Sequence, residues 1–210
     1  MTYREGCKKC SRLVSYLASS KKKYATYHCK PVAAFGNTNA QLLIVGLAPG
    51  LHGANATGRP FTGDHAGDVL YRTLHQFGFA SQPVSSSSHD SLQLKNCRIT
   101  NAVKCLPPAN RPTAQEVRNC NTYLRNELHL LNPKGIVLAL GRIAHHAVLS
   151  ALDLNPRKLP FAHGEIYELD CQLCLLDSYH CSRYNIQTRR LTQEMFEAIF
   201  IKVVSILESR

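Results

Sequence analysis

The sequence predicts an α/β protein built on a mostly parallel β-sheet that helices cover on both faces. Two short segments, Leu42–Val45 and Gly135–Gly141, are almost entirely apolar, which is typical of strands buried on both sides of a parallel sheet. Helical patterns follow both segments and recur to the end of the chain. Function in such sheets gathers at the carboxyl ends of the strands, so we expect it in the loops after Leu47, Cys105 and Tyr179.

Composition limits the class of protein. The 210 residues, 44% of them hydrophobic, suffice for one core, and we expect a single domain over residues 1–210. The sequence has no signal-peptide pattern and no apolar run of about 18 residues, which predicts a soluble cytoplasmic protein without membrane association. The net charge of +11 favours a polyanionic partner bound through phosphates, and the alternative is a basic surface that only maintains solubility.

The first half of the chain is predicted to alternate loops, one strand and two helices. A short N-terminal helix ends in the polar run Ser19–Lys23, and Pro31–Gly36 is expected to be a loop. The first strand is expected over Gln41–Leu47, and a long glycine-rich loop separates it from a helix over Gly67–Phe77. Ser81–Ser91, with four consecutive serines, is expected to be a mobile polar loop without packing contacts.

The second half repeats strand and helix. A strand over Cys97–Cys105 leads into a proline-rich turn, and Thr113 with Glu116 forms a capping-box pattern at the start of a helix that ends by Pro133. The later elements are a strand at Gly135–Gly141, a helix from Arg142 to about Leu152, two short strands, the segment DSYHCSRYN and a final helix over Leu191–Glu208.

Nine cysteines without a signal peptide favour metal binding or buried thiols over disulfides. Cys7 and Cys10 form one Cys-x-x-Cys pair. Cys105 at the end of the second strand and Cys120 on the apolar stripe of the next helix can converge where strand gives way to helix. Four such thiolates can hold a tetrahedral zinc ion or an iron–sulfur cluster, and the spacing does not choose between them.

The other cysteines are expected to be structural. Cys171 and Cys174 are also three apart, but in a strand such positions point to opposite faces, which favours buried thiols over ligands. Cys29 and Cys97 have no partner at metal-ligand spacing.

Several motifs in a fixed order resemble those of the uracil-DNA glycosylase superfamily, specifically its iron–sulfur branch called family five or type b. They are GLAPG followed by GRPFTGD, TNAVKC with PPANRPT, and the late HCSRYN, together with the four-cysteine pattern. The resemblance covers about Cys7–Phe196 and implies a three-layer α/β/α sandwich with a central, mostly parallel sheet. It also implies a structural [4Fe–4S] cluster on the four cysteines, damaged DNA as the partner, a monomer and no nucleotide cofactor.

Glycosidic-bond cleavage in DNA requires a flipped base that is stacked in a pocket and hydrogen-bonded at its polar edge. The resemblance assigns stacking to Phe61 and edge recognition to Asn101, with Gly46 and Ala48 beside them in the base-binding loop. His180 would donate to the oxygen of the departing anionic base. The alternatives are a core phenylalanine, a strand-end asparagine bonded to the backbone, and an ordinary surface histidine.

The first motif lacks a side-chain base. Other branches carry Asp, Glu or Asn in this motif, whereas Leu47, Ala48 and Pro49 offer none. The resemblance therefore assigns water positioning, or stabilisation of the sugar cation, to Asp64, with Asn110 assisting. The alternative for Asp64 is a helix N-cap.

The late motif supplies the expected DNA contacts. Ser182 belongs to this segment, and Arg183 or Tyr184 would wedge into the gap that the flipped base leaves. Arg189 and Arg190 would meet phosphates near the start of the last helix.

The expected function is monofunctional removal of uracil from DNA in base-excision repair, leaving an abasic site. Hypoxanthine and xanthine are further expected substrates, and the motifs offer no convincing catalytic lysine for a lyase step. A non-catalytic, zinc-dependent nucleic-acid-binding module would explain the charge and cysteines but not GRPFTGD or HCSRYN. A nucleotide-binding enzyme would explain the sheet, but the chain lacks both G-x-G-x-x-G and a Walker lysine motif.

Overall fold

A six-stranded mixed sheet lies at the centre of the computed structural model, which describes residues 6–169 and 172–210. The strands are β1 (Phe35–Gly36), β2 (Leu42–Gly46), β3 (Cys97–Asn101), β4 (Ile136–Leu140), β5 (Ile166–Glu168) and β6 (Cys174–Ser178). Their order is β1-β3-β2-β4-β6-β5; the four inner strands are parallel, and the two edge strands pair antiparallel. The predicted mostly parallel sheet is confirmed.

Helices cover both faces of this sheet. They are α1 (Ser11–Lys23), α2 (Ala54–Thr57), α3 (His65–Gln76), α4 (Ala114–Leu130), α5 (Arg142–Ala151), α6 (Arg183–Gln187) and α7 (Gln193–Glu208), with a 3-10 turn at Pro108–Asn110. Leu42 and Ile44 of β2 pack in the cluster that includes α3 and α7, whereas Leu43 and Val45 pack with α4 and α5. Strand side chains alternate between faces, so each inner strand contributes to both cores of a three-layer sandwich.

Most predicted elements lie within two residues of the observed ones, and the differences have local causes. β3 ends at Asn101 instead of Cys105, because the chain turns away toward the cysteine cluster. Two residues of the predicted loop Pro31–Gly36 form the edge strand β1. The short helices α2 and α6 were not predicted, since one turn is too short to show helical periodicity.

The prediction that Ser81–Ser91 lacks packing contacts is wrong. Ser85 is buried, accepts a hydrogen bond from Arg59 Nη1 at 3.0 Å and bonds to the Thr62 hydroxyl at 2.7 Å. Asp90 forms an ion pair with Arg59 at 2.6 Å, and both side chains are at most 11% exposed. Burial acts to raise the pKa of Asp90, but hydrogen bonds from Arg59 and three backbone amides outweigh it and lower that pKa to about 2.

A second buried ionisable pair anchors the carboxyl end of β6. His145 Nδ1 lies 2.8 Å from Asp177 Oδ1, its Nε2 lies 2.9 Å from the Leu159 carbonyl oxygen, and neither paired side chain is exposed. A carbonyl oxygen only accepts, so Nε2 carries a proton and donates it. The pair ties α5 and the loop at Leu159 to the strand that leads to His180.

The Asp90 carboxylate is expected to stabilise the fold through its ion pair with Arg59. We expect Asp90→Asn to lower the free energy of unfolding by about 3 kcal/mol at pH 7, because Arg59 is left buried without its counter-charge. The folded pKa is depressed, so the stabilisation is present above about pH 4 and is lost as the pH falls toward 2. Urea denaturation of wild type and variant at pH 7 and near pH 2.5 measures both effects.

Asp153→Asn is the matched control, since Asp153 pairs with Arg125 at 2.8 Å but is 75% exposed. An exposed pair contributes roughly 0–1 kcal/mol. Equal losses in the two variants would contradict a structural role for the buried pair.

Candidate active site

A cavity of about 1000 Å³ opens at the carboxyl ends of the parallel strands. Its lining comes from the loop after β2, the N-terminus of α3, the 3-10 turn after β3, and the segment after β6, so all three predicted loops contribute. The volume suits a small ligand or a flipped base. The predicted site residues in the lining are Ala48, Asp64, Asn110, His180, Ser182 and Arg183.

Gly46, Phe61 and Asn101 meet at the end of β2. The parallel register places Gly46 opposite Asn101, and Phe61 and Asn101 are 6% and 3% exposed. A Cβ atom on Gly46 would lie 2.4 Å from Asn101 Oδ1 and 2.6 Å from the Phe61 ring. Only glycine permits the phenyl ring and the amide to approach here.

The backbone of Phe61 is strained. Its φ of +53° is in the left-handed region, which a bulky residue rarely adopts. The first turn of α3 packs so closely that a Cβ on Gly67 would lie 1.9 Å from the Phe61 carbonyl oxygen. Tyr71 Oη also donates to the Pro60 carbonyl at 2.9 Å, so the surroundings hold Phe61 in this conformation.

His180 stacks on Phe61, with ring centroids 5.7 Å apart and planes 23° from parallel. Asn185 Nδ2 donates to the His180 carbonyl at 2.8 Å, which fixes the backbone of the loop. Burial lowers the pKa of His180, and the opposing charge of Asp64 offsets this only in part. The imidazole is therefore neutral at pH 7 and offers one N–H donor.

Asp64 is both a helix cap and a cavity residue. Its Oδ1 accepts a hydrogen bond from the Gly67 amide at 3.0 Å, so the N-cap role considered from the sequence is real. Its Oδ2 packs against Gly50 and Gly53, and the side chain lines the same cavity as His180. One carboxylate oxygen is thus used by the fold, and the other is available to a ligand.

Of the remaining predicted residues, Asn110, Ser182 and Arg183 line the cavity, whereas Tyr184 and Arg189 do not. Asn110 is exposed on the 3-10 turn, with φ at +54°. Ser182 caps α6, Arg183 is exposed within the lining, and Tyr184 is 70% exposed. Arg189 is exposed outside the lining.

Four lining residues with ionisable side chains were not predicted from the sequence as cavity residues. They are His52, His65, Arg142 and Tyr179. His65 Nδ1 is buried without a hydrogen-bond partner among the described residues. Arg190, which also lines the cavity, places its guanidinium 4.6 Å from the centroid of the Tyr179 ring. Both histidines flank the glycine-rich motifs, which was the only signal the sequence offered for them.

The four predicted ligand cysteines are brought together. Cys7, Cys10, Cys105 and Cys120 line one small cavity between α1, the chain after β3, and α4. The Lys104 amide donates to Cys120 Sγ at 3.3 Å, and Asn119 Nδ2 lies 3.5 Å from Cys10 Sγ. Burial raises the pKa of Cys105 to about 12 and also raises that of Cys120, so both are neutral thiols unless a cation binds.

These thiols do not surround a single metal position in the described part of the chain. Within residues 6–169 and 172–210, no three His, Cys, Asp or Glu side chains are placed to hold a single metal ion. Zinc requires its thiolates within about 2.3 Å of one point, whereas a four-iron cluster binds each thiolate at a different iron. N–H groups directed at the sulfurs are also typical of cluster sites.

The other cysteines that the structure describes are buried. Cys29 accepts a hydrogen bond from Asn55 Nδ2 at 3.5 Å, and Cys97 and Cys174 lie inside buried strands, as expected for structural thiols. Cys171 lies outside the described residues. In the described part of the chain, no helix has the length and apolarity needed to cross a membrane.

The pKa of His180 is testable. We expect an NMR titration to show a His180 pKa below its ordinary value of 6.5, and Asp64→Asn to lower that pKa further, because it removes the charge that favours the imidazolium. The folded pKa is depressed, so the stability from the neutral ring is present above about pH 6.5 and is lost as the pH falls. Asp68→Asn, an exposed change in the same helix turn, is the control. A His180 pKa above 6.5 would contradict the burial of the ring.

Comparisons with known proteins agree with this geometry. The model of the uracil DNA glycosylase superfamily matches residues 33–203. The type-5 uracil-DNA glycosylase of Thermus thermophilus is 44% identical over 201 residues, covering 93% of this chain and 91% of the relative. The type-5 enzyme of Pyrobaculum aerophilum is 43% identical over 192 residues, covering 90% and 83%.

The more distant matches include one sequence relative and one solved structure of similar fold. The type-4 uracil-DNA glycosylase of Archaeoglobus fulgidus is 32% identical over 165 residues, covering 78% of this chain and 69% of the relative. The crystal structure of wild-type SMUG2 from Pedobacter heparinus superposes with a TM-score of 0.51 at 14% identity, covering 82% of this chain and 77% of that one. The motifs, the fold and these matches together show that the chain belongs to the uracil-DNA glycosylase superfamily.

Proposed function

We propose that the protein is a monofunctional DNA glycosylase that hydrolyses the N-glycosidic bond of uracil in DNA and leaves an abasic site for base-excision repair. The observation that carries the proposal is that His180 lines the cavity and stacks on Phe61, which in turn meets Asn101 at Gly46, in a chain of this superfamily. Relatives at 40–44% identity bear the name type-5 uracil-DNA glycosylase. The protein then acts on DNA inside the cell, as a monomer with one domain.

The base would stack on Phe61 and present its polar edge to Asn101, whose amide offers both a donor and an acceptor. A ring between two parallel rings requires about 7 Å, twice the contact distance of carbon atoms. The ring centroids of Phe61 and His180 are only 5.7 Å apart. A base therefore does not fit between the two rings, and His180 must move off Phe61 when a base enters. That movement carries its N–H group to the edge of the base.

The negative charge of the departing base explains why a neutral histidine suits this position. Uracil departs as an anion, and a preorganised donor at its oxygen stabilises the charge that develops in the transition state. Neutral His180 supplies that donor at physiological pH without a charge that would have to be desolvated. Gly46 and Ala48 complete this end of the site with backbone groups and a methyl group, leaving the donor and acceptor work to Asn101 and His180.

Water handling falls to Asp64 and Asn110. No side chain of Leu47–Pro49 is a base, whereas Asp64 Oδ2 is available beside the cavity and Asn110 lies in the lining. A carboxylate here orients a water molecule and stabilises the positive charge of the oxocarbenium-like sugar. A first motif without a polar side chain at Leu47–Pro49 also leaves the pocket less selective, which supports hypoxanthine and xanthine as further substrates.

Residues after β6 would hold the DNA. Tyr184 is 70% exposed and Arg183 lies at the cavity mouth, so either can fill the gap that the flipped nucleotide leaves. Ser182 starts the same short helix, and Arg189 is exposed where it can meet a phosphate. Such a surface agrees with the net charge of +11.

The cysteines would hold a structural [4Fe–4S] cluster. Cys7 and Cys10 precede α1, whereas Cys105 and Cys120 belong to the segment after β3 and to α4, so a bound cluster ties the N-terminus to the sandwich. The sulfur donors and the two N–H groups near them support this assignment over zinc. The cysteine cavity and the candidate active-site cavity have no lining residue in common among the described residues, so the cluster supplies a cross-link and no step of the reaction.

The direct test uses DNA duplexes with uracil, hypoxanthine or xanthine opposite each normal base. We expect strand breaks at uracil only after alkaline treatment, because hydrolysis alone leaves an intact abasic site. Failure to process any of the duplexes would contradict the proposal, and breaks before alkali would contradict a monofunctional enzyme.

Asp64→Asn separates chemistry from folding in the same assay. Asparagine is as good an N-cap as aspartate, so the melting temperature should stay near that of wild type. Loss of the carboxylate should slow product formation by roughly 10²–10⁴-fold. An unchanged rate would remove Asp64 from the mechanism.

The cluster assignment has its own test. Cys105→Ser should lose the visible absorbance of the purified protein and lower its unfolding midpoint, because one of four ligands is replaced. Cys29→Ser is the matched control, since Cys29 is 7% exposed and Cys105 9%; it should keep the absorbance. A cluster-free Cys105→Ser protein with wild-type stability and activity would contradict a structural cluster.

A further inference from the structure

The positive charge of the chain is concentrated near its N-terminus. Residues 6–63 contain eight Lys and Arg residues and no Asp or Glu. Two of the eight have buried acidic partners, Arg12 with Glu116 and Arg59 with Asp90. Ion pairs with acidic side chains therefore neutralise only part of this positive charge.

Three consecutive lysines, Lys21, Lys22 and Lys23, end α1 and are exposed. Lys21 Nζ donates to the Tyr27 carbonyl, and Lys23 lies over the Tyr24 ring, but none of the three forms an ion pair among the described residues. The helix dipole favours cations at this end. This interaction stabilises the lysines without any bound anion. Their ammonium groups can therefore still bind an anion such as a phosphate.

An aromatic cluster connects these lysines to the cavity. Tyr24 and Tyr27 stack at 4.7 Å with planes 11° apart, and the His52 ring meets both edge-on at 5.5 and 5.9 Å. Tyr27 Oη lies 2.9 Å from His52 Nδ1, and His52 lines the cavity. The lysine–tyrosine surface, formed by Lys21, Lys22, Lys23, Tyr24, Tyr27 and His52, thus continues the cavity wall.

We propose that the lysine–tyrosine surface binds the phosphate backbone of the DNA strand that flanks the flipped nucleotide. The inference rests on the proposed function and adds the path that the DNA takes outside the cavity. Lys22 and Lys23 neutralise phosphates, and the stacked rings hold the end of α1 against the loop at His52, so the charges keep their position relative to the cavity. Lysine binds phosphate as a point charge and reads no sequence, which suits an enzyme that must act at any position in DNA.

The test measures how affinity depends on salt. The probe is a fluorescent duplex with one 2′-fluoro-deoxyuridine, whose glycosidic bond resists cleavage, and binding is followed by anisotropy from low to moderate salt. If both lysines contact phosphates, Lys22→Gln/Lys23→Gln should reduce the slope of log affinity against log salt by about 1.8, at about 0.9 per phosphate.

Lys95→Gln/Lys134→Gln is the matched control. These lysines are exposed and precede β3 and β4, at the end of the sheet opposite the cavity, and the change in net charge is the same. The control should keep the wild-type slope. A wild-type slope in Lys22→Gln/Lys23→Gln, or equal changes in both double variants, would overturn the proposal.

The glycosylase function and the lysine–tyrosine surface can be refuted independently of each other. Wild-type protein that yields no abasic product from a cleavable uracil duplex contradicts the glycosylase, whatever the slopes. Product formed normally, with no change of slope in Lys22→Gln/Lys23→Gln, overturns the surface alone.

Discussion

The absence of a side chain at Gly46 is the constraint on which the candidate site depends. The parallel register of β2 and β3 places Gly46 beside Asn101, and the space that a Cβ would take is filled by the Phe61 ring and the Asn101 amide. The flat surface that would stack a base and the amide that would read it are neighbours for this reason. Gly46 and Asn101 end two neighbouring inner strands, and His180 stacks on Phe61 from the segment after β6.

The loop that carries Phe61 is held by polar contacts that are themselves buried. Arg59 reaches Ser85 and Asp90 in the serine-rich segment, and Tyr71 bonds to the carbonyl that precedes Phe61. A backbone with φ at +53° costs roughly 1–3 kcal/mol and persists only when the surroundings determine it. The serine-rich segment, which has no hydrophobic periodicity, is therefore part of the support for the site.

The sequence predicted the strands and helix ends whose positions follow from local burial and helix capping. The apolar runs of β2 and β4 follow from burial on two faces, and the Thr113–Glu116 box marks the start of α4. Motif resemblance singled out residues of the cavity lining, such as Asp64 and His180, and also Phe61 and Asn101, which lie outside it. It could not show that Asp64 uses one oxygen as a cap and leaves the other free. Contacts between distant segments were not predictable from patterns, since the partner of Asp90 lies 31 residues away at Arg59.

The His180 ring covers the face of Phe61 on which a base would stack. Under the proposed function, base entry and placement of the His180 donor would be one movement. A crystal structure of the protein with a duplex containing 2′-fluoro-deoxyuridine tests this most directly. We expect uracil stacked on Phe61, its polar edge bonded to Asn101, and the His180 ring moved off Phe61 to the uracil oxygen. Uracil bound elsewhere, or His180 still stacked on Phe61 with the base outside, would contradict it.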